Sequence, residues 1–283
     1  MKRTRPTSLR RSSGAGASAC YALILAVLHL TFFCCRANAS IFIVAICKDG
    51  IVAVADSRFT FFDNDTGRAV AYADGLEKII HLRAALLAET GQGFIGDERF
   101  DLFIKRFEEA AGPLPVESLL PSLLEFGARR LPAEDQRVLE QQHMAVAKFR
   151  RQRRGQPLPS AEPIICGYDG RLLPCVDRGY IESSPTDFEK LTSRLSTMSA
   201  SETAIQARAS MERYISDQRK SATMGGEFSA AVLTPSGIRN LWVVRKQVLA
   251  RTLDELISMV AGRRIEVTLI PPATQPDLDR LLE

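Results

Sequence analysis

Histidine is nearly missing from this chain, with three in 283 residues, at positions 29, 81 and 143. A serine–histidine–aspartate triad or a multi-histidine metal centre therefore has little material to draw on. Acid is missing altogether from residues 1–39. Cysteine is sparse and nowhere spaced as a zinc site, and no disulfide scaffold can be built from it. No internal repeat occurs. The longest apolar stretch, Tyr21 to Phe33, is too short to cross a bilayer comfortably as a helix.

What the first 39 residues do contain is basic and apolar. Lys2, Arg3, Arg5, Arg10 and Arg11 precede that apolar stretch, and Ala37-Asn38-Ala39 fits the small-x-small rule for signal peptidase. The pattern predicts a secretory signal peptide over 1–39, cleaved before Ser40, and a secreted or periplasmic protein that meets the membrane only through that segment. An uncleaved signal anchor is the alternative. The whole chain has 37 basic and 33 acidic residues, a net charge of +4. Six of the basic residues lie in 1–39, which leaves 31 against 33 and a net charge of −2 from Ser40 onward. The basic balance thus belongs to the targeting segment and is no argument for nucleic-acid binding.

From Ser40 on, SIFIVAICKDGIVAVADSR is two β-branched apolar runs around Lys48-Asp49-Gly50, a hairpin signal. Phe61 to Asp74 is polar and is expected to be a loop. Glu77 to Leu82 and Ala84 to Thr90 are expected strands, and Gly91 to Asp97 a glycine-rich turn. Phe100, Phe103, Ile104 and Phe107 follow at helical spacing. Val116 to Lys148 is mostly helical in pattern, with interruptions near Pro121 and Pro132. Lys148 to Pro159 (KFRRQRRGQPLP) is a basic loop that suits solvent better than a partner. Ala161 to Gly179 is expected as a hairpin about Gly170-Arg171, which would set Cys166 opposite Cys175. In an oxidising compartment those two could bridge, and two buried free thiols are the alternative. Ser201 to Asp217 is a helix. Glu227 to Thr234 and Ile238 to Lys246 form another hairpin, Thr252 to Glu255 is a capping box opening a short helix, and Arg264 to Ile270 is a last strand. No internal linker divides this order, so 40–283 is expected to be one domain.

Counted from Ser40, Asp56 lies sixteen residues on, Arg58 two further, Lys78 at the head of a strand, and Gly93 before a helix. In this order SIFIVAICKDGIVAVADSRFT, then EKI, then TGQGFIGD resembles the N-terminal nucleophile hydrolases, and specifically the β-type subunits of the proteasome. The resemblance is strong over Ser40 to Asp97 and weaker through IICGYDGRLLPCVDRG and MGGEFSAAVLTPSGI. It implies an α+β fold, a four-layer αββα sandwich. It also implies catalytic roles for Ser40, Asp56, Lys78 and Gly93 with Arg58 in support, no cofactor, and self-association into a homo-oligomer.

The chemistry asks for the same groups. A serine hydroxyl needs a base, and a freed α-amine at Ser40 has an ordinary pKa of about 7.7–8.0. An amide nitrogen cannot serve, so Ala39 must be gone. Lys78 would favour the ionised hydroxyl and lower the amine's pKa. Asp56 would pair with Lys78, Arg58 would hold nearby backbone, and the Gly93 N–H would point at a developing oxyanion. Two departures stand out: the family's usual threonine is serine here, and Ser221 and Met224 stand near the late Gly225-Gly226 where the family has an aspartate and a serine. Three functions follow: a peptide hydrolase, an amidase or acylase on a small amide, or a non-catalytic binding or assembly module.

Overall fold

In the computed structural model, which describes residues 41–63, 66–150, 162–169, 172–176, 179–181, 194–217, 224–245 and 247–282, the chain begins as the hairpin expected of it. Strands β1 (Phe42–Cys47) and β2 (Gly50–Asp56) pair antiparallel, with Cys47 opposite Gly50 and Phe42 opposite Ala55. Every residue of β2 is buried. It is covered on both faces and flanked on its far edge by β13 (Phe228–Thr234), which turns back as β14 (Gly237–Trp242). With β12 (Gly179–Ile181) beside β1, the first sheet has the order β12-β1-β2-β13-β14.

A second antiparallel sheet contains β5 (Ile79–His81), β6 (Ala85–Thr90), β9 (His143–Arg150), β10 (Glu162–Asp169) and β11 (Leu172–Val176), in the order β11-β10-β9-β6-β5. Phe42, Val44, Ala53 and Ala55 of the first sheet pack against Ile79, Leu86, Ala88 and Ala145 of the second. The small residues at this seam let the two backbones approach.

Each sheet buries its other face under helices. Helix α1 (Phe100–Ala111), α2 (Val116–Ala128) and α3 (Ala133–Glu140) share a cluster with Leu87, Met144 and Val146. Phe126 meets Phe103 and Phe107 edge-on, with centroids 5.6 and 5.5 Å away. Each such ring contributes about 1.5–3 kcal/mol by burial. On the first sheet, α4 (Ala200–Asp217) lays Ala204, Ala207 and Met211 on Ile41, Ile43, Val52 and Val54. A smaller sheet, β3 (Arg58–Phe62), β4 (Ala69–Asp74) and β15 (Thr268–Leu269), is covered by α5 (Leu253–Ala261) and α6 (Gln275–Leu282), and the short pair β7 (Phe94–Ile95) and β8 (Glu98–Arg99) leads into α1. The fold is α+β, and the described residues fall in one compact unit.

Three expectations need correction. Phe61 to Asp74 is not a loop, because its last six residues form β4 and its first two end β3. Val70, Ala71 and Ala73 are buried against Val248 and Leu256, a partner remote in sequence. Val116 to Lys148 is helical only to Glu140; His143 onward is β9. Met144 and Val146 face the helices while Ala145 and Ala147 face the first sheet, so burial on both sides erases the period-2 signal. Helix α2 also runs through Pro121 rather than stopping there, while Pro132 does mark a break, standing immediately before α3. Helix α6 had no counterpart in the sequence reading; Thr274 opens it, its Oγ1 donating to Asp277 Oδ2 at 2.8 Å.

Candidate active site

Asp56 ends β2 with no exposed surface, and its carboxylate accepts three hydrogen bonds. The Ile41 N–H donates to Oδ1 at 3.1 Å, Lys78 Nζ donates to the same oxygen at 2.7 Å, and the Gly225 N–H donates to Oδ2 at 2.9 Å. Charge-assisted bonds of this kind are what allow a carboxylate to be buried at all. The Asp56 N–H returns a bond to the Ile41 carbonyl at 3.1 Å. Residue 41 is thus held at both polar ends of its backbone.

Lys78, 2 % exposed, stands immediately before β5. Besides Asp56, its ammonium donates to the Arg58 carbonyl at 2.7 Å. Arg58 opens β3 opposite Asp74 and grips that carboxylate with two bonds, Nε to Oδ1 at 2.8 Å and Nη2 to Oδ2 at 3.1 Å. Its guanidinium lies 3.6 Å over the Tyr72 ring and donates to the Met224 carbonyl at 3.4 Å. Asp56, Lys78 and Arg58 therefore form one connected network. Gly93 lies in the turn after β6. It is buried where a Cβ would strike Leu76 Cδ2 at 2.6 Å and approach Phe59 at 3.5 Å, so only glycine fits without displacing Leu76. Leu76 and Phe59 are chain neighbours of Glu77 and Arg58.

The late glycine motif enters through its backbone. Gly225 adopts φ 134° and Gly226 φ 77°, where a side chain would be strained, and the Gly225 carbonyl accepts from Ser57 N at 3.2 Å. The Met224 side chain turns away into the cluster beneath the first sheet, with Phe228 and Ile41. Ser40, Ser221, the segment 1–39, the Gly170-Arg171 turn and most of the basic loop lie outside the described residues. The backbone register does set Cys166 opposite Cys175, with an irregularity between Cys166 and Tyr168.

Two groups escaped the sequence reading. Gln142, 1 % exposed, clamps the glycine-rich turn: its Oε1 accepts from Gln92 N at 3.1 Å and its Nε2 donates to the Gln92 carbonyl at 2.9 Å. Glu89, 3 % exposed, lies on β6, and burial pushes its carboxyl up to about 8, against the pull of Lys78. A glutamate inside the apolar run ALLAET was the available signal for it. Burial also raises Glu77, although Ser229 Oγ donates to it at 2.7 Å. Among the described residues no three histidine, cysteine or acidic side chains are grouped to hold a metal ion.

No protein-family model and no curated protein matches the chain. Among solved structures it is similar to the Anbu (Gly-1) mutant from Hyphomicrobium sp. strain MC1, a proteasome-like fold. The match covers 74 % of this chain and 88 % of that one, with a TM-score of 0.50 and 12 % identity. At that identity the likeness is one of fold.

Proposed function

We propose that the chain is an exported N-terminal serine hydrolase that cleaves peptide bonds through an acyl-enzyme on Ser40, with the two sheets and their helices arranged as a four-layer αββα sandwich. One observation carries this reading. The Ile41 N–H and the Lys78 ammonium bond the same oxygen of Asp56, so whatever is joined to Ile41 is tethered within two hydrogen bonds of a buried cation. Ser40 is joined there. The fold likeness to a proteasome-like structure supports the same reading.

With Ala39 removed, the α-amine of Ser40 takes the Oγ proton as Oγ attacks the amide carbon. The Lys78 charge favours the ionised hydroxyl, and Asp56 holds the ammonium in place. The resulting ammonium of Ser40 gives its proton to the leaving amine as the C–N bond breaks. Water, activated by the same amine, then hydrolyses the ester. Gly93 is assigned as the oxyanion donor. A peptide is the favoured substrate, a small amide the alternative, and no cofactor is required.

The buried Met224 side chain favours a second reading, a non-catalytic binding or assembly module, since it offers no polar group to the amine. Intact mass and terminal sequencing of exported protein separate the two. The hydrolase requires a chain starting at Ser40, labelling of that residue by an electrophile, and loss of peptide cleavage in Ser40→Ala. A chain that retains Ala39 overturns it for that form.

A further inference from the structure

Glu89 is a carboxyl that the scheme above leaves unused. Its N–H donates to the Lys78 carbonyl at 3.1 Å, so the two residues face each other across the seam between β5 and β6. Its side chain is buried, and Oε2 has no hydrogen-bond partner among the described residues. Lys78 is the cation that acts on it, but that ammonium is engaged by Asp56 and by the Arg58 carbonyl. Asp56 on β2 and Asp101 on α1 bear on it as negative charges. On its other side β9 places Met144 opposite Glu89 and His143 opposite Thr90.

Three ionisable groups are thus buried about the head of β5: Lys78 itself, Asp56 bonded to its ammonium, and Glu89 bonded through its N–H to the Lys78 carbonyl. One cation there can be matched by one carboxylate. A second carboxylate is tolerated only with its proton on, or by taking a share of the cation. A lysine ammonium has three donors on a flexible stem and can serve either acid.

We propose that Glu89 is a positioning residue acting through Lys78: protonated, it leaves the ammonium to Asp56, and on ionising it draws the ammonium away from Asp56 and disarms the site. Its proton goes to solvent. What is disarmed rests on the hydrolase reading; the coupling of Glu89 to Lys78 does not. The added negative charge opposes ionisation of the Ser40 hydroxyl and keeps its amine protonated, so both effects act against attack.

The test compares the processed protein with its Glu89→Gln variant, which keeps the side chain's size and cannot ionise. In the unchanged protein, hydrolysis of a peptide substrate is expected to rise as the amine loses its proton and to fall again above about pH 8, by about tenfold one unit higher. In E89Q the rise is expected without the fall. The second readout is the Lys78 side-chain ammonium signal in NMR, assigned through Lys78→Arg. It should move with the Glu89 carboxyl titration in the unchanged protein and lose that step in E89Q. The same alkaline fall in E89Q, or a Lys78 signal indifferent to Glu89, overturns the proposal. A Lys78 signal that follows Glu89 in a protein with a free Ser40 amine and no hydrolysis sinks the hydrolase reading and leaves the coupling standing.

Discussion

Ile41 and Asp56 bond each other twice, the Ile41 N–H to Oδ1 and the Asp56 N–H to the Ile41 carbonyl, both at 3.1 Å. The pair closes the open end of the β1–β2 hairpin and fixes the second residue of a chain that would begin at Ser40. The same carboxylate holds Lys78 and Gly225. A single buried acid therefore joins the start of the first strand, the head of β5 and the late glycine motif.

Removing one member of the Asp56–Lys78 pair should cost more than removing both. Asp56→Asn takes the paired carboxylate from the buried ammonium while the Arg58 carbonyl still accepts from it. The expected loss is about 3–5 kcal/mol in urea unfolding, with loss of any hydrolysis. The double variant Asp56→Asn/Lys78→Met should recover part of that stability and none of the activity. Additive losses would refute the coupling.

Glu89 should make stability depend on pH in a particular direction. Its folded pKa of about 8 lies above the ordinary glutamate value of 4.5, so the folded state binds the extra proton between those values. Its contribution is fully present below pH 4.5 and is lost as pH rises through 8, at up to about 1.4 kcal/mol per pH unit. The difference between the unchanged protein and Glu89→Gln in urea unfolding isolates this slope. A flat difference from pH 5 to 8 contradicts it.

The glycine-rich turn should depend on Gln142. A Cβ at Gly91, where φ is 143°, would lie 1.7 Å from Gln142 Oε1, so Gly91→Ala must displace the clamp. Gln142→Ala removes both bonds to the Gln92 backbone. Each change is expected to cost about 1–3 kcal/mol and to lower peptide cleavage by moving Gly93. Thermal unfolding and the cleavage rate of the two variants check this together; unchanged cleavage in both would free Gly93 of its assigned role.

The cysteines should divide by environment. Cys47 is buried, with its thiol pushed up to about 11 by that burial, and its Sγ donates to the Gly50 carbonyl at 3.3 Å. It should resist thiol reagents until the protein unfolds. Cys166 and Cys175 stand opposite on paired strands. Exported protein is expected to be lighter by the mass of two hydrogens and to regain them on reduction. Three titratable thiols in unreduced, unfolded protein would argue for free cysteines instead.

The opening hairpin, the α1 face of Phe100, Phe103, Ile104 and Phe107, and the Thr252 cap of α5 were legible because local rules decide them: turn residues between β-branched runs, helical spacing, and an Oγ that accepts from Glu255 N. The grouping of Asp56 and Lys78 with Arg58 came from the family resemblance and not from any local rule, although Asp56 and Lys78 themselves were legible at strand ends that their neighbours define. Strand β9 was not, because it is sandwiched between α1–α3 and the first sheet and shows no periodicity of its own. Strand β4 was not, because its apolar partner arrives from Val248 and Leu256, far along the chain. That Gly225 serves Asp56 through its N–H while Met224 turns into the core also needed the fold, since a backbone donor carries no sequence signature. Glu89 was visible as a letter, but only tertiary packing, by stripping its water and setting it across from Lys78, turned an ordinary carboxyl into one that holds its proton.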